Sequence, residues 1–136
     1  IIHWSLGYAY ALRGRFAEAQ VHARWMQAHV PDMPYTVQLA ALLDGLEGRP
    51  EAARARLAAI AERSFDAHIT FHLGESFAAA GEHEAALRVL AQAVDRGFYP
   101  HDYIAVHCPF LAPLRGTAAF DRIAERAARR VAEFSA

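Results

Sequence analysis

The chain predicts an all-α fold: three antiparallel helix pairs stacked in a row, followed by C-terminal capping helices. Three observations carry this reading. The hexapeptides GRFAEA (14–19), GRPEAA (48–53) and GEHEAA (81–86) recur at spacings of 34 and 33 residues. Each is flanked by stretches whose apolar residues return every three or four positions, the period of a helix rather than a strand. Within the first 96 residues, proline stands only where such stretches begin or end, at Pro31, Pro34 and Pro50,.

The first pair occupies about residues 1–31. Ile2, Leu6, Ala9 and Tyr10 lie along one stripe of the opening helix, and Gly14 ends it as glycine does just past a helix C-terminus. A second helix from Phe16 to about His29 carries Ala19, Ala23 and Met26 on one face. Val30-Pro31 stops it, because proline disfavours helix at the residue before it.

The second pair covers about residues 32–64. Asp32 is the expected N-cap, with Pro34 in the first turn, where its missing N–H costs little. Tyr35, Leu39, Leu42, Leu43 and Leu46 form the stripe of the helix that ends near Glu47. Gly48 breaks the chain, and a helix from Pro50 to about Arg63 turns Ala53, Leu57 and Ile60 inward. Glu51 complements the dipole at its start.

The third pair, about residues 65–96, is the most regular. Ser64 or Asp66 caps a helix carrying Ile69, Leu73 and Phe77. Gly81 breaks it, and Ala86, Leu87, Leu90, Ala93 and Val94 face inward from the partner helix.

Ahead of two of the glycine breaks stand LGYAY (6–10) and LGESF (73–77), in the same phase. Leu-Gly, an aromatic three residues after the glycine, then Gly-x-x-x-x-Ala, together resemble the tetratricopeptide repeat. The second copy departs most, with Leu39-Ala40 in place of Leu-Gly and Leu43 in the aromatic place. The resemblance implies a right-handed superhelix in which the first helices of successive pairs line a concave, peptide-binding groove. Physically, Gly7 and Gly74 permit close helix approach, and Ala19, Ala53 and Ala86 are small where helices cross.

Residues 97–136 break the repeat. Phe98-Tyr99-Pro100 reads as an extended connector, and Tyr103–His107 as a short helix. Leu111, Pro113, Leu114, Arg115 and Phe120 resemble the ending of many bacterial tetratricopeptide proteins, where Asp-Pro-x-Leu-x-Pro-Leu-Arg leads into a last amphipathic helix. Cys108 stands in the place of that aspartate. Thr117 is the expected cap of the last helix, with Phe120, Ile123, Ala127 and Val131 inward, so that it covers the end of the stack. Its four arginines interleave with Asp121, Glu125 and Glu133 and read as a solvated face.

Composition narrows the partners. A net charge of −1 argues against nucleic acid held through phosphates,. No apolar run is long enough to span a bilayer, and no signal peptide is visible. One cysteine, Cys108, cannot form an internal disulfide,. The cytoplasm is therefore the default location. Because Ile1 opens the chain, it is read as a piece of a longer protein, with its apolar Ile1-Ile2 end expected to self-associate.

The expected function is non-catalytic binding of a protein or peptide, as the regulatory or scaffold part of a larger bacterial signalling or transcription-regulating protein, with no cofactor. The groove positions are Trp4, Ser5, Tyr8 and Leu12; Val37, Gln38 and Ala41; and His68, Phe71, His72 and Glu75. The best-known ligand mode of the resembled family clamps a peptide carboxylate with lysines and asparagines, and this chain has neither residue type. The alternative is a metal-binding or metal-dependent hydrolytic site. His68 and His72 share a helical face at i,i+4 with Glu75 beyond them, though HITFH lacks the glutamate of the HExxH motif. His107-Cys108 is read as packing rather than a base–nucleophile pair, since catalytic partners come from distant sequence.

Overall fold

In the computed structural model, which describes residues 1–135, the chain is all-helical, with no strand among the described residues. Seven α-helices are α1 (Ile2–Leu12), α2 (Phe16–His29), α3 (Pro34–Leu46), α4 (Pro50–Ala58), α5 (Ala67–Ala79), α6 (His83–Asp95) and α7 (Ala118–Ser135). A single π-type turn at Tyr103–His107 and a 3₁₀ stretch at Pro109–Leu114 precede α7. No helix among the described residues is long and apolar enough to cross a membrane.

Helices pair as α1 with α2, α3 with α4 and α5 with α6, and each pair packs on the next through α1–α3, α2–α3, α3–α5 and α4–α5. The three recurrent glycines make the hairpins. Gly14, Gly48 and Gly81 sit at φ of 71°, 80° and 79°, where an L side chain is strained,. In each case the next N–H reaches back five residues: Arg15 to Tyr10, Arg49 to Asp44 and Glu82 to Phe77, at 2.9, 2.7 and 2.9 Å. This is the Schellman arrangement, which satisfies carbonyls left over at a helix end. Its threefold recurrence makes the three hairpins locally alike.

Small residues then set the helix spacing. A Cβ on Gly7 would meet Leu39 Cδ2 at 2.7 Å, and one on Gly74 would meet the Leu90 side chain at 2.8 Å. Gly45, not singled out by the repeat pattern, is as close and less forgiving, since its Cβ would strike the Ala79 backbone at 2.7 Å. Ala19, Ala53, Ala86 and Ala93 are fully buried. Around Ala19, Ala86 and Ala93 close Leu39, Leu42, Leu43, Phe71 and Leu90, each contributing roughly 1.5–3 kcal/mol by leaving water,. Asp44, buried at the end of α3, accepts from Arg49 Nε at 3.1 Å and Arg56 Nε at 2.7 Å, tying α3 to α4.

Four expectations need correction. Met33 rather than Asp32 precedes α3, without a side-chain cap. The helix from Pro50 stops at Ala58, and turns carry the chain to Asp66. Val131 is exposed on α7. In α1 the covered side is that of Trp4, Gly7 and Ala11, whereas Ile2 and Leu6 are 70% and 43% exposed. Asp66 and Thr117 do cap, accepting from the Ile69 and Phe120 N–H groups at 3.0 and 3.2 Å.

Candidate functional site: a filled groove with a buried polar network

Capping at Asp66 fixes the register of α5, so His68, His72 and Glu75 fall on one face one and two turns apart,. From α1 come Trp4 and Tyr8, again four residues apart, and from α3 come Tyr35 and Gln38. The connector after α6 crosses this same first-helix face. It brings Phe98 against His68 and Phe71, Phe110 against Tyr8, and Tyr103 and Cys108 into the middle.

Glu75 is fully buried and is the hub. Its Oε2 accepts from the Tyr8 hydroxyl at 2.5 Å and from Cys108 Sγ at 3.0 Å, and its Oε1 pairs with His72 Nδ1. A carboxylate can only accept, so three donors converging on one is a consistent arrangement. The Tyr103 hydroxyl is 2.5 Å from that of Tyr8. Since the Tyr8 proton is committed to Glu75, Tyr103 is the donor of that bond. On the other side, His72 Nε2 faces His68 Nε2 at 3.2 Å, and His68 Nδ1 lies 2.7 Å from the Tyr35 hydroxyl. With each donor pointing inward, the bonds run Tyr35 to His68 to His72 to Glu75. A second strand of bonds locks α1, α3 and α5 together. Trp4 Nε1 donates to Gln38 Oε1 at 2.7 Å, and Gln38 Nε2 donates to Ser76 Oγ at 3.0 Å.

The environment keeps the donors protonated. Burial, then the negative charge of Glu75, pushes Tyr8 and Cys108 well above their ordinary ranges, and the same two causes raise Tyr103,. A nucleophilic cysteine needs the opposite shift. His68 is held below its ordinary value by burial and then by His72, so it favours the neutral ring that can accept from Tyr35.

The predicted groove residues therefore divide. Trp4, Gln38, Phe71, His72 and Glu75 are brought together, but buried, and Tyr8 and His68 are half-buried beside them. They do not line an open groove, because the connector covers it. Ser5 is exposed and bonds only the Ile1 carbonyl. Val37 and Ala41 belong to a separate cluster with Leu57, Ile60, Ile69 and Leu73. Leu12 is half-buried against the main core. His68, His72 and Glu75 do not converge as three ligands, since Glu75 sits on the far nitrogen of His72. No group of three or more His, Cys, Asp or Glu able to hold a metal occurs among the described residues.

Tyr35, Ser76, Tyr103 and Cys108 complete the network without having been singled out for it. The one available signal was Glu75 itself, the only acidic residue in AHITFHLGESFAA, which needs internal donors once that helix is buried,. No family model matches the chain, and no curated protein or solved structure matches it at a significant level.

Proposed function

We propose that the chain is a tetratricopeptide-like array, a right-handed superhelix of three helix pairs, serving as a non-catalytic protein–protein interaction module in a larger bacterial regulatory or scaffold protein. One observation supports this above others: the connector lies in the first-helix groove as a built-in ligand, through Tyr103 and Cys108 onto the Tyr8–Glu75 pair. The groove accepts a chain segment that is not part of any repeat. A partner peptide presenting an aromatic hydroxyl and flanking apolar groups would compete for that place.

The test uses the groove's own occupant. A labelled peptide of residues 98–111 is titrated into the full chain and into a Tyr103→Ala/Cys108→Ala variant, with fluorescence anisotropy as readout. The variant is expected to bind the peptide saturably and the parent not at all. Equal failure in both would remove the groove as a peptide site.

The N-terminal end supports a second interaction surface. Shifted by two repeats, Ile2 and Leu6 correspond to Ile69 and Leu73, which are 3% and 7% exposed because the preceding pair covers them with Leu57 and Ile60. The equivalent face of α1 is exposed in residues 1–135, and in this reading it self-associates when these residues stand alone, since α7 packs against α6 at the other end of the stack.

A further inference from the structure

A cavity of about 290 Å³ lies between the end of α4, the link before α5, and helices α5 and α6. It shares no side chain with the Tyr8–His72–Glu75 network. Its floor is apolar, formed by Leu57, Ile60, Leu73, Phe77 and Val89, and three arginines, Arg63, Arg88 and Arg96, stand around it.

Two of these guanidinium groups are held by neutral partners. Arg96 Nη1 donates to the Phe65 carbonyl at 3.1 Å and reaches Thr70 Oγ1 at 3.5 Å. Arg63 sits 5.1 Å from the centroid of the Phe65 ring. Arg88 is exposed, and none of the three is ion-paired among the described residues, unlike Arg15, Arg49, Arg54, Arg56 and Arg126. Neutral acceptors orient a guanidinium without cancelling its charge. Glu62, on the same rim, offsets one of the three charges and leaves an excess of positive charge over an apolar floor.

We propose that this pocket binds an acid group carried on an apolar body. Guanidinium groups favour carboxylates through paired N–H donors, while the floor accepts hydrocarbon. The volume equals that of roughly ten waters at about 30 Å³ each, room for a short acyl chain,. A free medium-chain carboxylic acid and a peptide ending in an apolar residue both present this chemistry.

The experiment is calorimetric titration of the whole chain with sodium octanoate, alongside 1-octanol and acetate. One saturable octanoate site is expected, with octanol bound at least about tenfold more weakly for want of the charge-assisted contact, and acetate at least about tenfold more weakly for want of hydrocarbon on the floor. Arg63→Gln/Arg88→Gln, both at exposed positions, should weaken octanoate by about tenfold or more with the melting curve unchanged. Octanol binding like octanoate, no saturation by octanoate, or an unaffected double variant would each overturn the proposal. A leucine-terminated peptide with free and amidated ends separates the sources. Tighter binding of the free-ended peptide than of octanoate assigns the site to chain termini, and the reverse order assigns it to free acids.

Discussion

The Tyr8 hydroxyl donates to Glu75 Oε2 at 2.5 Å, joining α1 to α5 across 67 residues of chain. The same oxygen accepts from Cys108, so one carboxylate fastens both the helix pairs and the connector. Glu75→Gln would set an N–H₂ against groups whose own protons already point at the carboxylate,. Losing hydrogen bonds to a buried charged group costs about 1.5–3 kcal/mol. Urea unfolding should show that loss as a lower midpoint at unchanged slope. A loss below about 0.5 kcal/mol would mean the network carries no stability.

Stability should fall on both sides of neutrality. His68 is held below its ordinary value of 6.5, with His72, Asp66, Glu75 and the Tyr35 hydroxyl as its neighbours. The unfolded chain therefore binds more protons at this site, so stability is complete above about 6.5 and is lost as pH falls toward the folded value. Cys108 and Tyr8 are raised above ordinary values of 9.0 and 10.0, so the unfolded chain loses those protons first and stability declines as pH rises past that range,. His68→Gln should flatten the acid limb of melting temperature against pH and leave the alkaline limb in place.

Two glycines separate close approach from backbone conformation. Gly45→Ala sets a methyl against the Ala79 backbone, which cannot turn aside, and should cost about 2–3 kcal/mol by forcing α3 from α5,. Gly81→Ala meets nothing in space but holds φ at 79°, for about 1–2 kcal/mol,. Calorimetry should therefore rank Gly45→Ala as the less stable variant.

The uncovered face of α1 gives a mass prediction. At high concentration the parent chain should scatter light as more than a monomer, and Ile2→Arg/Leu6→Arg as a monomer with unaltered helicity. A monomeric parent would leave Ile2 and Leu6 without the role proposed for them.

The hairpins were legible because a glycine after an amphipathic stretch has local consequences, and the backbone bonds at Gly14, Gly48 and Gly81 follow from it. The covered side of α1 was not. Ile2, Leu6 and Tyr10 make as good an apolar stripe as Trp4, Gly7 and Ala11, and the choice depends on which side α3 and the connector approach. The cover over the groove positions was hidden for a related reason. Trp4, Tyr8, Gln38, His68, Phe71, His72 and Glu75 do lie together, most of them buried. Nothing in their spacing tells that Tyr103 and Cys108 return to cover them.

The Tyr8–Tyr103 contact spans 95 residues and changes how the array should come apart. A row of hairpins, each touching its neighbours, is a one-dimensional system that can fray from either end. Bonding the connector to the first helix turns that row into a closed circuit, in which loosening α1 and releasing the C-terminal part become one event. Amide hydrogen exchange in α1 and in residues 98–111 should accordingly report one shared opening free energy. Tyr8→Phe, which removes the hydroxyl bond and leaves only the ring contact with Phe110, should split it into two,.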